Sequence, residues 1–325
     1  MRAVQVPRLD GPEALELVHV AEPAAGPDSV VVDVAYAGVA WPDLLLTRGQ
    51  YQLKPEPPFS PGAEVSGTVR SAPDGSGLTA GQRVAVLCGV GGWQDTVVAA
   101  PDNVLPLPDA VSLRAGAGVA FNYLTVHFAL RRRARLADGE TVLVHGASGG
   151  IGVATLQLAK AYGARTLAVV SSEAKVDAAR EAGADEVLLA DGFLARAKEL
   201  TGGRGVDVVL DPVGGDRFTD SLRSLAPEGR LLVVGFTGGD IPTVKVNRLL
   251  LNNVSVVGVG WGAFLMGAPG YLQEQWRELS GLLADGSVRI VEGQAYDLAD
   301  ARQALLDMDA RTLTGKALLT VRGGD

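Results

Sequence analysis

The sequence predicts an α/β fold built on a doubly wound parallel sheet, and three observations predict it. The first is the stretch from Thr141 to Gly163. An apolar strand, Val142-Leu143-Val144, leads into small residues in the pattern Ala147-x-Gly149-x-x-Gly152. Apolar residues at helical spacing then run from Ile151 to Tyr162. Strand, glycine turn and helix in that order are what a dinucleotide site requires. The second observation is that strand and helix keep alternating after 141. Strands are predicted at 141–145, 166–170, 186–189, 206–211, 230–235 and 254–259, and helices at 151–163, 173–182, 192–200 and 216–225, which makes six parallel strands. The third is a contrast. Before about 115 the chain shows only short β-rich runs between turn clusters.

Those runs lie at 15–20, 29–37, 65–69, 83–86 and 96–100. Asp10-Gly-Pro12, Gly26-Pro-Asp28 and the turn from Pro73 to Gly77 separate them. The pattern predicts an irregular antiparallel β domain of partial-barrel type. Residues 54–61 carry four prolines and predict a stiff loop. One helix is expected over 112–133, with Arg131, Arg132 and Arg133 as cations at its C-terminus.

In the glycine turn, Gly149 is expected to allow a tight turn beside a pyrophosphate, and Gly152 to let the helix close on the strand. Free N–H groups around Ala147, Ser148, Gly149, Gly150, Ile151 and Gly152 would hold the phosphates. Two more loops leave the carboxyl edge of the sheet, where ligands bind in such folds. One is Asp211-Pro-Val-Gly-Gly215, and the other begins Gly235-Phe236-Thr237. The second strand ends Val170-Ser171-Ser172-Glu173-Ala-Lys175. No acidic residue stands where a ribose diol is usually bound, and a cation follows, so the pattern suits a 2′-phosphate and predicts NADPH. Ser172 as a helix cap is compatible with that reading. Glu173 leaves diol binding as the alternative. Beyond 268, helices are expected at 271–284 and 299–308 and a closing strand at 316–321, a tail read as returning to the first domain.

With 325 residues the chain is long enough for two domains. Hydrophobic residues at 47% and charged residues at 20% describe a globular chain. A formal net charge of −8 argues against a nucleic-acid partner. The single cysteine, Cys88, excludes an intrachain disulfide framework and a cysteine-rich metal site. No secretory leader and no run of transmembrane length is present, so a soluble cytoplasmic protein without a membrane partner is expected. His19, His127 and His145 share no short spacing, and His145 reads as structural.

With these motifs in this order, the chain resembles the zinc-independent quinone oxidoreductases (zeta-crystallin-like) of the medium-chain dehydrogenase/reductase superfamily. The resemblance also rests on Ala37-Gly-Val39, Pro61-Gly-Ala-Glu64, Asn122-Tyr-Leu-Thr-Val126, the run from Gly202 to Asp207, and Thr314-Gly-Lys316. It implies a GroES-like catalytic domain from 1–117 and 268–325, a Rossmann domain from 118–267, and an active site in the cleft between them. It implies that Lys175 and Arg311 approach the 2′-phosphate, and that Thr125 and the backbone of Phe236 and Thr237 lie near the nicotinamide. A homodimer joined through the edge strand from Val254 to Val259 is implied as well; so β-branched an edge is an aggregation risk unless paired. Zinc-dependent members carry a cysteine and a histidine where this chain has Ala40 and Ala63, so no metal is expected. Quinone oxidoreductases commonly have Asn where Ala40 stands, a departure that bears on the substrate.

Without a metal to act as Lewis acid, alcohol oxidation is disfavoured. Hydride delivery to a quinone, or to another electron-poor C=C or C=O acceptor, remains, with enone or enoyl-CoA thioester reduction as the runner-up. A non-catalytic NADPH-binding structural or sensor protein is the alternative from another class. Trp41, Asp43 and Tyr51 are the catalytic-side candidates. Gly49-Gln-Tyr51 resembles the Gly-x-Tyr segment of enoyl-thioester reductases, whose Tyr is the proposed proton donor. Packing of Tyr51 against the proline-rich loop is the equal alternative. Asp43 and Arg48 read as a structural polar pair.

Overall fold

A computed structural model describes residues 1–324. The chain divides into two compact units, one made of Met1–Phe121, Gly270–Gly286 and Ile290–Asp325, the other of Asn122–Pro269 and Ser287–Arg289.

In the first unit both ends of the chain build one mainly antiparallel sheet. Its order is Ala295–Asp297, Leu318–Thr320, Val30–Gly38, Glu64–Ser71, Arg83–Leu87 and Val104–Pro106, and Thr96–Ala99 pairs with Val30–Gly38 as well. A separate hairpin-like pair joins Arg2–Gln5 to Glu16–His19. Alternate residues of Val30–Gly38, among them Val30, Val32 and Val34, point into a core shared with Trp93, Leu44, Leu305 and Leu319. The closing strand thus contributes to the same core as the N-terminal strands, because Leu319 pairs with Ala37 across the sheet.

The second unit is a six-stranded parallel sheet. Its order is Glu186–Leu189, Arg165–Val170, Thr141–His145, Val206–Asp211, Leu225–Val233 and Ser255–Gly258. Every residue of Val206–Asp211 is buried, as expected for a central parallel strand covered on both faces. The predicted α/β class with its doubly wound sheet is therefore the observed one.

Among the differences from the predicted elements, two bear on the candidate site; short helices at Asn247–Asn252 and Trp261–Leu265 are also unpredicted. The helix expected over 112–133 is broken. Leu113–Gly116 is one short turn, Asn122–His127 is a second helix, and Phe128–Ala134 continues it as a π-helix. The break has a long-range cause. The Phe121 N–H donates to Glu64 Oε2 at 2.8 Å instead of entering a helix. Glu64 Oε1 in turn pairs with Lys316 Nζ at 2.5 Å in a buried ion pair. The second difference is the helix Trp41–Thr47, in a segment where none was predicted. Pro42 sits in its first turn, where a missing N–H costs nothing. The three arginines do lie in the last turn of the π-helix. Arg131 stacks over Tyr162 at 5.0 Å and Arg132 over Phe264 at 4.5 Å.

Candidate functional site

In the second unit, the strand Thr141–His145 runs into a turn and then into the helix Gly150–Ala161. The closest fit falls at Gly152. A Cβ there would stand 2.3 Å from the Gly146 carbonyl oxygen and 2.5 Å from Ala147 Cα. No side chain is compatible with that contact, so helix and strand close on one another as expected. The left-handed residue of the turn lies three positions before Gly149, outside the pattern. Gly149 has an ordinary φ of −89° and is the N-cap, whereas Gly146 carries the left-handed φ of 60°. The Gly149 N–H bonds back to the Gly146 carbonyl at 3.0 Å. Gly150, Ile151 and Gly152 then form the first turn of a twelve-residue helix. N–H groups in a first turn have no partner within the helix, and the helix dipole adds positive potential there, an arrangement that fits a pyrophosphate. Ala147 and Ser148 are buried beneath the turn.

The neighbouring edge loops are fastened to each other. Asp211 Oδ1 accepts from the N–H groups of Val213 at 2.8 Å and Gly214 at 2.9 Å. The Thr237 N–H donates to Pro212 O, and the Gly238 N–H to Val213 O. Gly235 and Phe236 are half-buried at this edge. The strand Arg165–Val170 ends in Ser171 and Ser172, both exposed, and Lys175 follows in a single turn of 3-10 helix. Ser172 is at the N-cap of that turn, but its side chain makes no capping bond. Glu173 is exposed in the same turn. Thr125 is buried in the helix Asn122–His127.

His145 has a structural environment. Ser221 Oγ donates to the Arg217 carbonyl at 3.0 Å and so accepts from His145 Nε2 at 2.8 Å. The Phe193 ring meets the imidazole edge-on at 4.8 Å. Burial pulls the His145 pKa down to about 4, with the Arg217 charge adding to that and the Asp211 carboxylate opposing it. The ring is neutral at ordinary pH and ties the strand end to the helix Phe218–Ser224.

In the first unit, Trp41 opens the helix Trp41–Thr47 and Tyr51 follows its end; both are half-buried. Asp43 is fully buried, and the expected polar pair with Arg48 is corrected: the two side chains have other partners. Asp43 Oδ2 accepts from the Ala40 N–H at 2.7 Å and Oδ1 from the Gly62 N–H at 2.9 Å, which ties the helix start to the Pro61-Gly62 loop. Burial raises the Asp43 pKa to about 6 against those two donors. Burial and the charge of Asp43 both push the Tyr51 phenol above its ordinary value, so it keeps its proton at neutral pH. Cys88 lies in the same electrostatic neighbourhood. Burial, then the carboxylates of Glu64 and Asp43, push its thiol up to about 12, which leaves it a poor nucleophile. Arg48 pairs with Asp309, and Arg311 is exposed at the end of the same C-terminal helix. Ala40 and Ala63 are buried and offer no ligating atom. Among the described residues, no group of three or more His, Cys, Asp or Glu side chains is placed to hold a metal ion.

Against known families, residues 26–109 match the alcohol dehydrogenase GroES-like domain and residues 150–285 the zinc-binding dehydrogenase family. The quinone oxidoreductase-like protein 2 of Bos taurus is 38% identical over 307 residues, covering 91% of this chain and 86% of that protein. The chain belongs to the zinc-independent quinone oxidoreductases of the medium-chain dehydrogenase/reductase family. Membership makes it an enzyme of oxidoreductase type with a GroES-like and a Rossmann-like part. Among solved family structures, a probable oxidoreductase from Mycobacterium abscessus is 46% identical, with TM-score 0.89 and 99% of each chain covered. The quinone oxidoreductase of Thermus thermophilus, solved also as its complex with NADPH, is 34% identical, with TM-score 0.87, covering 99% of this chain and 100% of that one. The Asp43 and Arg48 partners, and the Glu64–Lys316 pair, are features of this family member that its local sequence did not reveal. Glu64 stands in the motif Pro61-Gly-Ala-Glu64, and it is its burial in the fold that requires a cation opposite it.

Proposed function

We propose that the chain is an NADPH-dependent reductase that passes hydride to quinones or to other electron-poor C=C or C=O acceptors, without a metal ion. The observation that carries the cofactor choice is the edge at Ser171, Ser172 and Lys175, which offers hydroxyls and a cation where a diol-binding acid would otherwise stand. The turn from Gly146 to Gly152 would hold the pyrophosphate, and NADPH-bound relatives support the same reading. Thr125, Phe236 and Thr237 would border the nicotinamide, and Arg311 would add a second cation for the 2′-phosphate. When bound, NADPH supplies a hydride. The chain's own part is to orient the acceptor and to hold a proton at the Tyr51 phenol.

A charge-assisted contact to phosphate contributes about 1.5–3 kcal/mol. Lys175→Ala is therefore expected to weaken NADPH binding on the order of 10- to 100-fold while changing NADH binding little. Fluorescence titration with both cofactors checks this. Equal losses for the two, or a native preference for NADH through Glu173, would remove the NADPH assignment.

The active species is proposed to be a homodimer joined along 254–259. Ser255–Gly258 is one edge of the parallel sheet, with Val256 and Val257 half-buried. Near it in sequence, Ile241, Val246, Leu250 and Leu251 are more than two-thirds exposed, at 71–76%. A second copy added antiparallel at this edge would pair the strand and cover apolar side chains on both partners. Sedimentation at micromolar concentration is expected to give a dimer, and Leu250→Glu with Leu251→Glu a monomer. A monomeric native protein would refute the proposal. Among the described residues, no helix is long and apolar enough to cross a membrane.

A further inference from the structure

Two short helices of the first unit end near one another, and each is followed closely by a side chain with a proposed role. The helix Trp41–Thr47 ends at Arg48, and Tyr51 stands three residues on. The helix Ala301–Asp309 ends at Asp309, and Arg311 stands two residues on. Arg48 bridges the two ends with a fork: Nη2 donates to Asp309 Oδ2 at 2.5 Å and Nη1 to Oδ1 at 3.3 Å.

Asp309 is poorly suited to helix stability where it stands. A carboxylate at a helix C-terminus opposes the helix dipole, so this one needs a cation, and Arg48 provides it. A planar guanidinium that binds both carboxylate oxygens also fixes orientation, which a point charge does not. Each chain segment leaving the pair is held tightly. On one side the Gly49 N–H bonds to Leu46 O, the Gln50 N–H bonds to Leu45 O, and Gly49 takes a left-handed φ of 65°. On the other, Arg311 itself has φ 58°, an uncommon conformation for a residue with a side chain. Its N–H bonds to Met308 O, while the Thr312 N–H and Oγ1 both bond to Asp307 O. Trp41 and Leu313 pack against the same apolar core. The fork therefore joins two rigid turns.

We infer that Arg48 and Asp309 are a positioning pair that sets Tyr51 and Arg311 in register with each other, so that the proton-donating and the phosphate-binding side chains are held by one strut. The inference rests on the roles proposed above for Tyr51 and Arg311. A half-exposed ion pair contributes little to stability, so loss of the pair should show in binding and turnover more than in unfolding.

The test compares Asp309→Asn, Arg48→Lys, Asp309→Glu and Arg311→Ala with the native enzyme. Equilibrium dissociation constants for NADPH and NADH are read by fluorescence, kcat and KM for an enone by NADPH absorbance, and Tm by calorimetry. Asp309→Asn and Arg48→Lys are each expected to weaken NADPH binding about 3- to 10-fold without changing NADH binding, and to lower enone kcat by a similar factor. Tm should move by only a few degrees, and Asp309→Glu should recover most of both losses. Suppose Arg311→Ala weakens NADPH binding but Asp309→Asn and Arg48→Lys do not. The positioning role is then overturned and the phosphate role of Arg311 stands. If Arg311→Ala leaves NADPH binding unchanged, the phosphate role fails and the strut fails with it. Equal weakening of NADPH and NADH together with a large fall in Tm would mark the pair as merely structural.

Discussion

Tyr51→Phe is expected to lower the rate of enone or enoyl-thioester reduction by about 10²- to 10⁴-fold while sparing quinone reduction, the range set by loss of a positioned general acid. The asymmetry comes from the acceptors. Hydride addition to the β-carbon of an enone leaves an enolate, which needs a proton on the adjacent carbon. A quinone becomes a hydroquinone anion, a far weaker base that takes its proton from water. Tyr51 fits the first demand because it holds its proton. Burial and the Asp43 carboxylate both raise its pKa, so the phenol is un-ionised across the neutral range. Phenylalanine keeps the ring and its packing, which isolates the hydroxyl. Parallel assays with quinone, enone and enoyl-thioester substrates decide the point. Unchanged rates for all would assign Tyr51 to packing, and equal falls for all would assign it to substrate placement.

Reading the sequence succeeded where the governing interactions are local or where burial on both faces forces a simple pattern. Val206–Asp211 is legible because a central parallel strand is covered on both faces, which its apolar run Val208-Val209-Leu210 signals. The helix Tyr271–Ala284 is legible because Leu272, Trp276, Leu279 and Leu283 repeat at helical spacing and are all buried. Failures share a different cause. The helix expected through 117–121 is interrupted by Glu64, which takes the Phe121 N–H from 57 positions away. Arg48 looked like a partner for nearby Asp43, yet its carboxylate lies 261 positions further on. Asp43 spends both oxygens on backbone N–H groups, a role that neither spacing nor composition can distinguish from an ion pair. In the candidate site, the motif Ala147-x-Gly149-x-x-Gly152 located the turn but did not include its left-handed residue, Gly146, which precedes the pattern.

The two glycines of the pattern differ sharply in the room they leave, and the second large effect follows from that. Gly152→Ala is expected to destabilise the protein by about 4 kcal/mol or more and to abolish measurable NADPH binding, whereas Gly149→Ala is expected to be tolerated. At Gly152 the added methyl would sit 2.3 Å from Gly146 O, 2.5 Å from Ala147 Cα and 2.6 Å from Ala147 C. All three are backbone atoms of the turn, so no side chain can rotate away. Relief requires the helix Gly150–Ala161 to lift from the strand end, which moves the N–H groups proposed to hold the pyrophosphate. At Gly149 the nearest atom would be Gly146 O at 3.4 Å, and a φ of −89° suits any residue. Its methyl costs only a small adjustment of the N-cap. Thermal unfolding and NADPH titration of both variants separate the two positions. A stable Gly152→Ala protein that binds NADPH normally would show that the turn yields more readily than its backbone contacts imply. A Gly149→Ala protein that folds but loses NADPH would instead indicate that the pyrophosphate approaches Gly149 itself, closely enough to exclude a methyl.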